Sequence, residues 1–147
     1  MLNLMLPLSL ATSALFGSVS TTAQKPETHL DVQPGLWQWS HQTRLSGIGF
    51  SEENTECLSQ DMASMSLQEF VSKLDPACSV TTNEGAGGTI AFSLSCNGDI
   101  KGNATGTLTR SSDQKLSVQA NGAVIFDDDV SAPFQFNAQA SRQGSCG

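Results

Sequence analysis

Thr89-Ile90-Ala91-Phe92-Ser93-Leu94-Ser95-Cys96-Asn97-Gly98-Asp99-Ile100-Lys101-Gly102-Asn103-Ala104-Thr105-Gly106-Thr107-Leu108-Thr109 is the stretch that decides the fold. Ile90, Phe92, Leu94 and Cys96 fall on one face, and Thr89, Ala91, Ser93 and Ser95 on the other. That period of two is the mark of a half-buried strand. Asn97-Gly98-Asp99 predicts a tight hairpin, with Asn-Gly supplying the positive φ that such turns require. The return strand sets Ile100, Gly102, Ala104, Gly106 and Leu108 against Lys101, Asn103, Thr105, Thr107 and Thr109. Two long strands joined by a short turn make antiparallel sheet the governing architecture.

The same period extends in both directions. Upstream, Cys78 to Asn83 reads as a strand, turned by Glu84-Gly85-Ala86-Gly87-Gly88. Downstream, Ser111-Ser112-Asp113 turns into Leu116, Val118, Ala120, Gly122, Val124 and Phe126. Asp127-Asp128-Asp129 then leads to Phe134, Phe136, Ala138 and Ala140. Pro34-Gly35 opens the domain. Trp37, Trp39 and His41 alternate with Leu36, Gln38 and Ser40, and a weaker strand, Phe50 to Cys57, follows Ser46-Gly47-Ile48-Gly49.

Ser64 to Leu74 departs from this period. Ser66 and Glu69 form a capping box, and Leu67, Phe70, Val71 and Leu74 fall at helical spacing before Pro76 stops the run. The prediction is a mainly β domain of about seven strands with one short inserted α-helix, as a curved antiparallel sheet or an up-and-down β-barrel. Gly102, Ala104 and Gly106 permit bending and leave volume inside. The inserted helix, as a lid, or the Trp pair can equally fill that volume.

Composition narrows the function classes. The 147 residues carry 7 Lys plus Arg against 14 Asp plus Glu, a formal net charge of -7. No basic stripe exists to meet phosphates, so nucleic acid is not expected as a partner. Tyr is absent and Trp occurs twice, too little for a stacking platform for bases or sugars.

Residues 1–23 hold no charged side chain, and the apolar run from Leu2 to Val19 ends in small polar residues and Thr21-Thr22-Ala23, a small-x-small cleavage pattern. Pro7, Ser9, Thr12, Ser13 and Ser18 dilute the run, which favours a signal peptide over a spanning helix. No Cys follows it to take a lipid anchor. Residues 24–33 read as a flexible polar leader, residues 34–147 as a single β domain, and no membrane span is expected in the mature chain.

Cys57, Cys78, Cys96 and Cys146 all follow that signal. An even, isolated set reads as disulfides in an oxidising compartment, periplasmic or extracellular, rather than as zinc ligands, which pair closely. Three pairings are open. Cys57–Cys78, closing a short loop around the helix, is the expected one, and it leaves Cys96–Cys146. In a strict meander, however, Cys96 and the last strand finish at opposite ends.

Sites for chemistry are sparse. His41 has no nucleophile elbow or triad motif beside it, and its strand position predicts a rim residue. The adjacent carboxylates Asp127-Asp128-Asp129 diverge and lack the alternation of a calcium loop, so they read as a solvated turn. Glu52, Glu53 and Glu56 read as a charged loop rather than as glycosidase carboxylates. Gly85-Ala86-Gly87-Gly88 lacks the Lys-Ser/Thr of a phosphate loop. Asn103-Ala104-Thr105 matches a glycosylation acceptor. No catalytic constellation, metal site or cofactor is expected.

Pro34-Gly35-Leu36-Trp37, Cys57-Leu58-Ser59, Cys78-Ser79-Val80, Leu94-Ser95-Cys96 and the terminal Gly144-Ser145-Cys146 occur in an order that resembles the bacterial secreted family known as the domain of unknown function numbered 3617. The resemblance covers Pro34 to Cys146. It departs at Arg44 to Phe50, where many members carry a Met-Pro-rich segment. It implies a small periplasmic, disulfide-bearing β protein and carries over no catalytic residues, because the family has no assigned activity.

Two functions follow from these readings. One is a binding module for an apolar or amphipathic small molecule, with Trp37, Trp39, Phe92, Leu94, Val118 and Phe136 as candidate lining residues. The other is an envelope interaction or structural protein that uses a sheet edge. An enzyme ranks below both.

Overall fold

The computed structural model of the protein describes residues 28–127 and 129–147. The alternating stretches form seven strands: β1 (Gly35–Leu45), β2 (Ile48–Leu58), β3 (Cys78–Glu84), β4 (Thr89–Asn97), β5 (Lys101–Ser112), β6 (Lys115–Ile125) and β7 (Ser131–Gly144). They make one antiparallel sheet in the order β2-β1-β7-β6-β5-β4-β3. The meander runs unbroken from β3 to β7. β1 then docks on the free side of β7, with Trp39 opposite Ala140 and Thr43 opposite Phe136. β2 hairpins outward from β1.

β2 and β3 are therefore the two edges, and the sheet is curved but not closed into a barrel. Its curvature is visible in the core. Leu58, Trp37, Ala140, Leu116, Leu108 and Ile90, one each from β2, β1, β7, β6, β5 and β4, belong to one cluster. In a flat sheet β2 and β4 would stand about 24 Å apart at the usual strand spacing. The sheet must be cupped for them to share a core.

The segment between the edges contains two helices where the sequence predicts one. α1 (Gln60–Ser64) starts on Ser59, whose hydroxyl accepts from the Met62 N–H at 3.3 Å. α2 (Leu67–Leu74) starts on Ser66, which accepts from the Glu69 N–H at 3.2 Å as the capping box requires. Between them Met65 and Ser66 are extended. The extended backbone pairs with residues 28–30: the Leu30 N–H donates to the Met65 carbonyl and the Leu67 N–H to the Thr28 carbonyl. That pairing interrupts the helix.

The strand order overturns the expected Cys57–Cys78 and Cys96–Cys146 bridges. Cys57 pairs with Cys146 and Cys78 with Cys96, at Cα separations of 5.6 and 4.0 Å. The chain leaves β2 at the end of the sheet where β1 begins and β7 finishes. It enters β3 at the opposite end, where the β4–β5 hairpin lies. The eight residues of α2 climb about 12 Å of the distance between those ends. Cys57 and Cys78 are thus at opposite ends, whereas Cys78 faces Cys96 directly in register.

Residues 28–33, within the expected leader, are strapped across the end where β1 begins. Leu30 and Val32 are 4% and 8% exposed. The Val32 N–H donates to the Ala63 carbonyl, the Gln33 N–H to the Asp113 carbonyl, and an Arg110 guanidinium N–H to the Asp31 carbonyl. With Leu58, Ala63 and Leu67 these residues plug the cup over Trp37, which is fully buried and donates its indole N–H to the Gln33 carbonyl at 2.9 Å. The alternation of Thr28, Leu30 and Val32 with His29 and Asp31 is a strand pattern inside a polar stretch.

Two glycines of the deciding stretch work by leaving room. Gly98 does not have the positive φ expected of it. A Cβ there would stand 2.6 Å from the Cβ of Ala77, whose carbonyl accepts from the Asn97 N–H. A Cβ at Gly106 would meet the Gln119 carbonyl oxygen and, at 2.8 Å, the ring of Phe92 directly across the strand pair.

Candidate functional site

Strand alternation sends one set of side chains from every strand into the cup, and the plug fills only one end of it. Above the plug lies a cavity of about 450 Å³ lined mainly by apolar groups. β1 contributes Trp39 and His41, β2 Asn54 and Glu56, and α2 Phe70 and Val71. Val80, Phe92, Leu94, Leu108, Leu116, Val118, Phe136 and Ala138 complete the walls from β3 to β7, and Leu30 forms part of the floor. Both sides of the unclosed seam are represented, β2 by Asn54 and Glu56 and α2 by Phe70 and Val71. Asn54 and Glu56 are themselves exposed, so the cavity reaches solvent along the seam.

Trp39, Phe92, Leu94, Val118 and Phe136, five of the six residues proposed from sequence, are brought together on this wall. Trp37 is not among the lining residues. It sits one layer lower, fully buried in the core. His41 lies in mid-strand rather than at a strand end, half-buried, with its Nε2 3.3 Å from a carboxylate oxygen of Glu52 and its ring 5.7 Å from that of Phe136. Phe136 in turn stacks on Phe134, with centroids 6.3 Å apart.

Several lining residues were missed from sequence. The helical spacing of Phe70 and Val71 predicts the inner face of a lid but gives no reason to place them over these particular strands. Asn54 and Glu56 are hidden because the strand expected at Phe50 to Cys57 lacks a clear apolar face, and its carboxylates read as a charged loop. The strand is present as β2 and carries all three carboxylates, which overturns their loop reading; its register sets Glu52 opposite His41, Asn54 opposite Trp39 and Glu56 opposite Trp37. Glu52 and Glu56 share the concave side, and Glu53 faces the other way.

No hydroxyl or thiol among the described residues hydrogen-bonds to His41, and no group of three or more His, Cys, Asp or Glu side chains there is placed to hold a metal. Gly85 leads into a 3-10 turn at Ala86–Gly88. Asp127 and Asp129 lie in the β6–β7 turn, and Asn103 is exposed on β5. Depressions on the convex face are lined by hydroxyl and amide side chains such as Thr81, Asn83, Ser93, Thr105, Thr107 and Gln119. Large exposed apolar side chains among the described residues gather at one end, on the three hairpins opposite the plug: Ile48 and Phe50, Ile100, and Ile125, Phe126 and Val130. The signal-peptide reading of residues 1–23 lies outside the described residues. No described helix is long and apolar enough to cross a membrane.

A family model, Protein of unknown function (DUF3617), matches residues 32–146, which takes in the end of the strap, every strand and the last cysteine. The chain belongs to the DUF3617 family. No curated protein and no solved structure matches it. The DUF3617 domain holds both disulfides and leaves no described cysteine free. Such cysteine usage indicates an oxidising, non-cytoplasmic setting.

Proposed function

We propose that this DUF3617 domain is a non-catalytic binding protein of the periplasm or extracellular space that holds an apolar or amphipathic small molecule in its cup. The observation that carries the reading is the cavity itself. Its volume of about 450 Å³ falls in the roughly 300–1,000 Å³ range of small-molecule pockets. A pocket with these apolar walls gains about 25 cal/mol for each Å² of apolar ligand surface it takes from water.

Trp39 lines the cavity and Trp37 does not, so Trp37→Phe leaves one indole as a reporter. Titrating that variant with a neutral medium-chain alcohol or a quinone should change Trp39 emission saturably. Ala138→Phe, which projects a ring into the cavity, should weaken the response at least tenfold. A linear response to ligand, or full affinity in Ala138→Phe, would refute the reading.

A second reading rests on β2. Residues 48–57 of this edge strand are exposed, and its outer edge pairs with no described strand. Such an edge accepts an extended segment of a partner protein. Pull-down with an intact β2 and with Thr55→Pro, which removes an N–H from the edge strand, distinguishes an edge-bound partner from none.

A further inference from the structure

We propose that the cavity selects amphiphiles by the charge of the head, taking a cationic amine or quaternary ammonium head on an apolar tail; this rests on the small-molecule reading above. The lining contains no Lys or Arg. Its polar groups are His41, Asn54 and Glu56, all from the β1–β2 pair, so one wall is polar and the others are apolar. Because Asn54 and Glu56 are the exposed members of the lining, that wall is at the mouth and the apolar walls are inside. A head at the mouth with its tail inside fits this arrangement.

The register gives the sign. Glu52, Asn54 and Glu56 stand directly across from His41, Trp39 and Trp37. Residues diagonal across an antiparallel pair lie about 7–8 Å apart, so Trp39 is flanked by Glu52 on one side and Glu56 on the other. An indole flanked by two carboxylates attracts a cation by its ring quadrupole and by Coulomb attraction together. Glu52 approaches His41, whereas Glu56 has no ion pair or hydrogen bond among the described residues. Arg110, on β5 at the plugged end of the cup, is committed to the strap through the Asp31 carbonyl at 3.0 Å. An anionic head would meet Glu56 with no Lys or Arg in the lining to offset it.

The test compares three probes with the same twelve-carbon tail, each below its micellar concentration: dodecyltrimethylammonium, dodecanol and dodecanoate. Dodecyltrimethylammonium should bind about tenfold tighter than dodecanol, and dodecanoate weaker than both. Glu52→Gln with Glu56→Gln should collapse the ammonium-to-alcohol ratio to within about twofold, and near-ultraviolet circular dichroism verifies that the variant is folded. Glu53→Gln removes the same charge from the opposite face of the same strand and should keep the ratio, which separates a local head site from attraction by the net charge of the chain. Dodecanol binding equal to that of the ammonium overturns the head preference and leaves the cavity reading standing. Dodecanoate binding as tightly as the ammonium, or a ratio that survives Glu52→Gln with Glu56→Gln, also overturns it. If none of the three probes binds, both readings fail.

Discussion

Removing the two disulfides separately should destabilise the domain by different amounts, and the strand order says which loss is larger. Cys57 and Cys146 are 89 residues apart, Cys78 and Cys96 only 18. A cross-link stabilises chiefly by restricting the unfolded chain, and the restriction grows with the logarithm of the closed loop. The loop lengths give about 4.6 kcal/mol for the long bridge and about 3.2 kcal/mol for the short one. Domains of this size have about 5–15 kcal/mol in total, so the long-bridge variant is left marginal. Cys57→Ser with Cys146→Ser should melt about 6 °C below Cys78→Ser with Cys96→Ser, at roughly 4 °C per kcal/mol. The pairing itself is read from a non-reducing tryptic digest. Lys73 and Lys101 bound a peptide that contains both Cys78 and Cys96, while Cys57 lies between Arg44 and Lys73 and Cys146 follows Arg142. The observed bridges leave the 74–101 peptide on its own with an internal link and join 45–73 to 143–147. The pairing favoured by sequence would join all of these peptides into one species. Finding that species, or equal losses in the two double variants, would refute the topology argument.

Leu30→Ala should cost about 2–4 kcal/mol in urea unfolding because Leu30 is a core residue of the strap, and a loss below about 0.5 kcal/mol would mark the segment as a mere leader. Gly106→Ala should cost about 1–3 kcal/mol, since its Cβ meets both a carbonyl oxygen and the Phe92 ring, and a neutral result would show the sheet is looser than the contacts imply. Ser66→Ala removes the cap of α2 and should cost about 1 kcal/mol, with faster amide exchange in Leu67–Leu74 than in the central strands as its local signature.

Most strands were legible because they bury one face, so period two is imposed residue by residue from Ile90 to Leu108, whereas β2, exposed from residue 48 to 57, carries only a weak pattern. Helix α2 was legible through Ser66 and Glu69, although the break at Met65 was not, since its cause is a pairing with Thr28–Leu30 far away in sequence. Strand order was hidden for the same reason. Alternation tells which face of β1 is inward, and nothing local tells that β7 lies beside it. The bridges followed the error, because placing Cys57 next to Cys78 assumed that chain neighbours are sheet neighbours. The apolar lining was largely readable as inward positions of strands. Its polar wall was not, because Asn54 and Glu56 become wall residues only once β2 hairpins onto β1.

The seam between β1 and β7 has a consequence for how the chain acquires its shape. Trp37 finds its partner in Arg142, and Leu45 in Phe134. Closing a loop of about a hundred residues costs roughly 4 kcal/mol of chain entropy before any contact at the seam repays it. The β3–β6 meander needs only neighbours in sequence and can form early, whereas the β1–β2 hairpin waits for the fourteen residues of β7. A chain halted before Ser131 would hold a four-stranded ribbon and a stranded hairpin with both tryptophans in water, the kind of transient apolar surface that associates with other chains. Completion of the C-terminal strand is thus the event that commits the whole molecule, and folding during emergence from a narrow exit must stall until it arrives.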